Sequence, residues 1–395
     1  MTRWDALVAI CHDLRAGLLG GERAPARETV WELVIEVASF HYVTPALAAC
    51  LPQDDVPSEV RDYFKSAAVL NGERNAHMLA GLARTAGLLN AIGIEPLPLK
   101  GASLLADGTY ADPAQRLLGD IDVLIPKDRA SDAVAALRAA GFAAKASDVI
   151  PPPSHHHLPI LHDPETGVGV ELHTDVVSRS PDAAIATAWF CEQARPASFR
   201  GARILLPEPT RNAGHVIFHS QLFHGLDHVN KIQLRHLLDL ALIRARHGGA
   251  IDWDALDRRF SDAGFGEVLA TYLSFADLLF AQPSPALRHA PRQNALTELR
   301  ETESRDSFHF QIERLKSYQD TLQTELSHMT AARDRLQAEK DRALAEKDAV
   351  LAEKDAALEE NAALRAQLAH ILASRSWRLT APLRAIIARS RRRRT

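Results

Sequence analysis

The sequence predicts an α+β protein in which a small mixed sheet with helices lies between helical segments and precedes a long coiled-coil helix. Helical spacing of apolar residues covers 1–92 and 209–290. Between these regions, in 93–208, short strand-like runs alternate with helical ones. From 298 to 372 apolar residues recur every seven positions, and 373–395 forms a basic amphipathic tail. We therefore expect five regions along the chain.

The composition is that of a globular protein, with 46% hydrophobic and 24% charged residues in a chain of 395. The three cysteines are scattered and form no Cys-x-x-Cys pair, which favours a reducing compartment and argues against a structural zinc site. The first residues predict an amphipathic helix and not a signal peptide, and no 18-residue apolar run predicts a membrane span. We expect a cytoplasmic protein.

The helical regions have distinct patterns. In the first region, a long helix is expected to begin at Pro57-Ser58 and to end near Gly93. In the third region, Leu234, Leu238 and their apolar neighbours at helical spacing form one buried face. A Pro-rich stretch then separates this region from the heptad repeats.

The middle region predicts the sheet. An apolar run ends at Lys100-Gly101 and is followed by a short helix and a loop. The segment "DIDVLIP" predicts a strand, and an amphipathic helix follows it up to Gly141. The segment "HLPILHDPETGVGVELH" alternates around a Pro-Glu-Thr-Gly turn, which predicts a β-hairpin.

Two aspartates at the start of the predicted strand carry the first functional signal. Asp120 and Asp122 flank one isoleucine, so both side chains lie on the same face of the strand. Like charges this close repel, so this face is either plain solvent or the site of a cation. Glu171 lies on the second arm of the hairpin and can reach the pair if the strands are neighbours. Three carboxylates suit Mg²⁺ or Mn²⁺, which we predict as the cofactor.

A second signal precedes the aspartates. Lys100, Gly101 and Ser103 lie between a strand and a helix, where backbone N–H groups and a lysine charge can hold phosphate. Arg116 is a further candidate for nucleotide binding. His173 shares a strand face with Glu171, so it can contact a bound nucleotide or orient the carboxylate.

Other histidines leave alternatives open. His155, His156 and His157, with His162 and His173 nearby, raise the alternative of a zinc site. Adjacent residues of a strand point to opposite faces, so at most two of the triplet could share a metal. We favour a loop and strand edge beside the active site. His215 and His219 could likewise form a metal pair on a helix, but packing against the site is favoured.

The segments "LPLKGASLLADGTYADPAQRLLGDIDVLI" and "HHHLPILHDPETGVGVELH" resemble nucleotidyltransferase-like proteins of the polymerase-beta superfamily. More narrowly, they are similar to a bacterial group labelled uncharacterised nucleotidyltransferases, over roughly residues 30 to 280. By position, Gly101 and Ser103 match the superfamily's turn, Asp120 and Asp122 its metal-binding pair, and Glu171 its third acidic ligand.

The resemblance implies metal-dependent transfer of a nucleotidyl group from an NTP to an acceptor. The acceptor would be a hydroxyl or phosphate of a small molecule or of a surface-polysaccharide intermediate. The alternative is a catalytically inactive scaffold that organises envelope biosynthesis at the membrane through its coiled coil. Retention of all three carboxylates favours the enzyme.

The heptad region predicts a homo-oligomer. One row of the heptad is apolar throughout, while the other is polar in its middle, so a lone charged helix is the alternative. The apolar row consists of Leu315, Leu322, Met329, Leu336, Ala343, Val350, Ala357, Leu364 and Ile371.

The tail, 373–395, contains eight arginines and no acidic residue, interleaved with Trp377 and large aliphatic residues. Its segment "SWRLTAPLR" is similar to a short tail of bacterial glycosyltransferases and related surface-polysaccharide proteins. The composition favours an anionic membrane surface over nucleic acid as the partner, with a solvated tail as a third alternative. We therefore predict peripheral association with the inner face of the membrane.

Overall fold

The structure is a computed structural model, and it divides the chain into two compact units, Met1–Gln311 and Ile312–Thr395. The described residues are 1–22, 29–52, 56–145, 148, 156–176, 187–223, 226 and 231–373, with side chains described outside 305–336. The tail from 374 onwards, which carries the predicted membrane-binding segment, and His155 lie outside these residues.

The N-terminal region is helical, as predicted. Its helices are α1 (Arg3–Leu18), α2 (Trp31–Phe40), α3 (Thr44–Leu47) and α4 (Ser58–Ala91). A capping box formed by Thr2 and Asp5 begins α1, because each side chain bonds to the backbone N–H of the other residue. Helix α4 follows Pro57 and ends two residues before Gly93, whose φ of 77° suits glycine, so the predicted long helix is confirmed.

A small mixed sheet forms the centre of the first unit, which confirms the predicted α+β architecture. Its strands are β1 (Leu97–Pro98), β2 (Ile121–Leu124), β3 (Leu161–His162) and β4 (Gly169–His173), in the order β1-β2-β4-β3. Strands β2 and β4 are parallel, and the other two pairings are antiparallel. Helices α5 (Lys100–Ala106) and α6 (Ala130–Ala139) follow β1 and β2, respectively. The predicted hairpin is the β3–β4 pair.

The pairing of β2 with β4 decides where the acidic residues meet. All four residues of β2 are buried, because the strand lies between two others. The register places Asp122 directly opposite Glu171. Directly opposed residues on neighbouring strands point to the same face of a sheet, so both carboxylates lie on one side.

A second hairpin was not predicted from the sequence. Strands β5 (Arg195–Phe199) and β6 (Ala202–Leu206) pair through a two-residue turn in which Arg200 and Gly201 both have positive φ. Asn90 of α4 exchanges hydrogen bonds with the backbone of Arg203 and so attaches the hairpin to α4. Two features explain why the sequence does not predict this hairpin. A Pro within β5 weakens the strand signal, and the turn is Arg-Gly in place of the more usual Asn-Gly.

The third region is helical, as predicted, and completes the first unit. It contains α8 (Pro209–Phe218), α9 (Leu234–His247), α10 (Trp253–Asp262) and α11 (Gly266–Phe280), and a single π-helical turn, His219–Phe223, extends α8. Helix α7 (Thr187–Cys191) precedes this region and lies before β5. Helix α9 buries the predicted leucines, and it also buries Asp239.

The C-terminal segment is one helix, α12 (Ala295–Ala373), which includes the described part of the heptad region. Its first residues belong to the first unit, since Ala295 and Leu299 join the apolar core and Glu303 forms an ion pair with His41. Pairing of α12 with a second copy stays a prediction, as does the five-region division. Among the described helices, none has the length and apolar character needed to cross a membrane.

Candidate metal and nucleotide site

A cavity of about 400 Å³ lies against the carboxylate face of the sheet. It is bounded by the turn after β1, the segment before β2, strands β2 and β4, the loop before β3, and helices α8 and α9. Its lining residues are Lys100, Gly101, Ala102, Arg116, Leu117, Leu118, Gly119, Asp120, Asp122, His156, His157, Glu171, His215, Val216, His219, Arg235, His236 and Asp239. The structure therefore brings six of the eight predicted site residues to one cavity.

Asp122 is the centre of the site and is only 4% exposed. Lys100 Nζ donates a hydrogen bond to its Oδ1 at 2.8 Å. His173 Nε2 lies 2.8 Å from the same oxygen. Both contacts use Oδ1, so Oδ2 is open to a further ligand.

Glu171 and His173 complete a possible metal-binding group with Asp122. Among the described residues, these three offer one ligand atom each, and the atoms lie within 4.8 Å of one another. Asp120 lies just before β2 and lines the same cavity, although it is not part of this closest group. The third member of the closest group is therefore His173, whereas the sequence predicts Asp120 in that position.

The ionisation of these groups follows from burial and neighbouring charge. Burial raises the pKa of Asp120 to about 6, and the charges of Asp122 and Glu171 add to the rise. Burial also opposes ionisation of Asp122, but the charge of Lys100 and the bond from His173 hold its pKa well below the usual value. In turn, burial disfavours the charged forms of Lys100 and His173, yet the contacts with Asp122 raise the pKa of both.

The turn after β1 is built to bring its backbone close to the cavity. Lys100 has a φ of 52°, in the left-handed region that residues other than glycine rarely adopt. A Cβ on Gly101 would lie 2.4 Å from Leu118 Cδ2, so a larger residue would displace that leucine. Strained backbone of this kind clusters at functional sites, which agrees with the predicted role of this turn.

Ser103 is placed differently from its neighbours. It is fully buried, lies outside the cavity lining, and its Oγ has no hydrogen-bond partner among the described residues. A contact between Ser103 and a phosphate would therefore need a change in the packing of α5.

Arg116 lines the cavity but also makes a buried ion pair. Its Nε and Nη2 bond to the two carboxylate oxygens of Asp239, each at 2.7 Å. The hydroxyl of Tyr110 donates to Asp239 at 2.6 Å. This bidentate pair ties the segment before β2 to α9, so Arg116 has a positioning role in addition to any contact with nucleotide. Asp239 was missed in the sequence, where its signal is an acid inside the apolar face of α9.

Helix α4 holds the segment before β2 from the other side. Asn75 donates to the carbonyls of Pro113 and Arg116, each at 2.6 Å, and Asn71 donates to the carbonyl of Ala114 at 2.7 Å. Both asparagines are buried. These bonds fix the backbone that leads to Asp120, and nothing in the local sequence of α4 indicates them.

His156 and His157 lie in the loop before β3, beside the carboxylates. The rings of His156 and His157 lie 4.9 Å and 5.2 Å from that of His173, and His157 Nε2 lies 3.6 Å from a Glu171 oxygen. His162 instead pairs with Asp148. Among the described residues, a zinc ion would therefore have to bind at Asp122, Glu171 and His173, the same group that is predicted to bind Mg²⁺ or Mn²⁺.

The profile of a protein family described as uncharacterised nucleotidyltransferase matches residues 27–281. The chain belongs to this family. The matched part includes the whole cavity and ends at α11, so α12 and the tail lie beyond it. No curated protein and no solved structure matches the chain.

The site residues of this nucleotidyltransferase family member fit a divalent cation. Carboxylates and imidazole are ligands of such ions, and Asp122 lies directly opposite Glu171 in the sheet, with ligand atoms of Asp122, Glu171 and His173 within 4.8 Å of one another. After burial, the charges of Asp122 and Glu171 raise the pKa of Asp120 although Lys100 and His173 lower it, and a cation bound among the three acids would offset this repulsion.

Proposed function

We propose that the protein is a divalent-metal-dependent nucleotidyltransferase that moves a nucleotidyl group from an NTP to a hydroxyl or phosphate of a small molecule or surface-polysaccharide intermediate. The observation that carries the proposal is the register that sets Asp122 opposite Glu171, with Lys100 bonded to Asp122 in the same cavity. Membership of the family supports the reaction class.

The carboxylates would hold the ion in this proposal. Asp120, Asp122 and Glu171 bind Mg²⁺ or Mn²⁺, with His173 as the adjacent nitrogen ligand. When bound, the ion supplies counter-charge to the triphosphate and polarises the reacting phosphoryl group. One of the carboxylates would accept the proton of an attacking hydroxyl, whose oxygen forms a bond to the α-phosphorus of the NTP while the bond to the β-phosphate breaks and pyrophosphate leaves.

Lys100 and Gly101 would hold the triphosphate. The Lys100 side chain is about one-quarter exposed, at 26%, so its ammonium group is accessible from the cavity. Gly101 lines the cavity without a side chain, which lets phosphate approach the backbone. The alternative, an inactive scaffold, predicts that these contacts no longer bind nucleotide.

Calorimetric titration of ATP, GTP, CTP and UTP with Mg²⁺ or Mn²⁺ tests the proposal. We expect metal-dependent binding of at least one nucleotide, weakened at least about tenfold in Asp122→Asn because a ligand charge is lost. Asp128→Asn is the matched control, since Asp128 is exposed and lies outside the cavity. Circular dichroism checks that the variants are folded. Equal nucleotide affinity in Asp122→Asn and the unaltered protein would exclude the proposed site.

A further inference from the structure

Helices α8 and α9 contribute part of the cavity wall, including the half-buried side chain of a cation, Arg235. Its guanidinium lies 4.9 Å from the ring centre of Tyr42, and its Nη2 lies 3.3 Å from His236 Nε2. Its Nε is buried without a hydrogen-bond partner among the described residues. Arg235 forms no ion pair within the part of the chain that the structure describes.

Asp239 does not compensate Arg235 fully. Both oxygens of Asp239 bond to Arg116, so the three side chains together carry one excess positive charge. Burial, and then the charge of Arg116, lower the pKa of Arg235 to about 10, which still leaves it charged at neutral pH. A half-buried charge without an anionic partner is costly, so its place at the cavity wall indicates an anionic ligand.

The position of Arg235 in α9 adds to this cost. It is the second residue of the helix, where the helix dipole is positive and disfavours a cation. An anion bound beside it would be stabilised by both charges.

His215 provides a second group on the same wall. It is 1% exposed, it lines the cavity, and its Nε2 has no hydrogen-bond partner among the described residues. Burial lowers its pKa to about 3, and the charge of Lys100 contributes, so the ring is neutral and can donate one N–H.

We propose that Arg235 and His215 bind a phosphate group of the acceptor substrate. The inference rests on the proposed function, in which the triphosphate occupies the Lys100–Gly101 turn and the metal-binding carboxylates. The anion on the α8–α9 wall is then a separate group. Donors from two helices suit a tetrahedral phosphate, whose several oxygens can each accept a bond.

Titration of inorganic phosphate into the full chain, followed by ³¹P NMR line broadening, tests the site without a known acceptor. We expect Arg235→Gln to weaken phosphate binding at least about tenfold, as for loss of a charge-assisted contact. Arg258→Gln, an exposed change on α10, should leave it unaltered. Lys100→Gln separates this site from the turn: phosphate binding that falls in Lys100→Gln but stays unchanged in Arg235→Gln would place the phosphate at the triphosphate site and overturn the inference.

Two further measurements keep the inference open to refutation. If Arg235→Gln does not fold, Arg235→Lys serves as the second variant. It retains the positive charge but cannot donate two parallel hydrogen bonds as a guanidinium does, so it should weaken phosphate binding about threefold or more. Phosphate should still bind in the presence of Mg²⁺ and the bound NTP. Displacement of phosphate by the NTP, or unchanged affinity in the Arg235 variants, would overturn the inference. Because the phosphate titration needs no nucleotide, failure of nucleotide binding would refute the proposed function separately.

Discussion

At the scale of single residues, two buried aspartates organise the cavity by opposite means. Asp122 has two hydrogen-bonding partners, Lys100 and His173, on one oxygen and leaves the other for a metal. Asp239 uses both oxygens on Arg116 and accepts the Tyr110 hydroxyl as well. The first is therefore placed for ligand binding, whereas the second joins segments of the fold.

Loss of the Asp239 charge should be strongly destabilising. Asp239→Asn leaves the buried Arg116 without its counter-charge, which typically costs about 3–5 kcal/mol. Urea unfolding measures the change, and Asp277→Asn, an exposed change on α11, is the control. A free energy of unfolding within about 1 kcal/mol of the unaltered protein would contradict the structural role of this pair.

His215 should make stability depend on pH. Its folded pKa of about 3 lies below its ordinary value of 6.5, so below pH 6.5 the unfolded chain takes up a proton that the folded protein refuses. Stability is therefore lost as the pH falls from about 6.5 towards 3.

The expected loss from His215 between pH 7.5 and pH 5.5 is about 1.4 kcal/mol. Denaturant unfolding of the protein and of His215→Gln at both pH values measures it, because other titrating groups are common to both. The variant should lose about that much less stability on acidification. The same pH dependence in both proteins would show that His215 is not buried in its neutral form.

At the scale of elements, α4 supports the two β-structures through different asparagines. Asn75 and Asn71 hold the segment before β2, whereas Asn90 holds the backbone of β6. The site strand is thus positioned by a helix that contributes no residue to the cavity lining. Because different asparagines of α4 hold the site segment and the β5–β6 hairpin, changes at these asparagines can separate effects on ligand binding from effects on stability.

Replacing Asn75 should weaken metal and nucleotide binding through the position of Asp120. Asn75→Ala leaves the buried carbonyl of Arg116 without a donor and removes the side-chain bond to the carbonyl of Pro113, which costs about 1–3 kcal/mol and loosens the segment before β2. Asn90→Ala is matched in chemistry and helix, and should reduce stability without changing Mn²⁺ binding. Electron paramagnetic resonance of Mn²⁺ measures the affinity. Equal effects of the two variants on Mn²⁺ binding would argue against positioning by Asn75.

At the scale of the whole molecule, the second unit offers an exposed apolar stripe. Val350, Leu364 and Ile371 of the heptad row are all about half exposed or more, at 64%, 57% and 49%. Leu351 and Leu358 are exposed beside this row and widen it. A stripe of this kind on one long helix is typical of a surface that a second helix covers.

We expect the full chain to self-associate through α12. A chain ending at Gln311 keeps the buried Leu299 and Glu303 of the first unit, and it should be monomeric. The double change Val350→Asp and Leu351→Asp should weaken association, while Glu353→Gln, an exposed polar change, should not. Light scattering coupled to size-exclusion chromatography measures the mass. A monomer mass for the full chain at micromolar concentration would rule the prediction out.

The sequence by itself determined the classes of most elements, though not of the β5–β6 hairpin, and the carboxylate half of the site. Helical spacing, the Pro-Glu-Thr-Gly turn and the alternation around Glu171 are local signals, so α4, α9 and the β3–β4 hairpin follow from them. Asp120 and Asp122 were recognisable for the same reason, because two acids at the start of an apolar strand conflict with burial unless they bind something.

Only the tertiary structure decided which distant groups meet. The parallel register of β2 and β4 set Glu171 and His173 against Asp122, and packing of α9 brought Asp239 and Arg235 to the cavity. Tertiary packing also buried Ser103, which the sequence analysis had placed with the phosphate. Arg116 and Asp239, for example, are more than a hundred residues apart in the sequence. No local sequence pattern encodes contacts between residues so far apart, because they depend on how distant segments pack together.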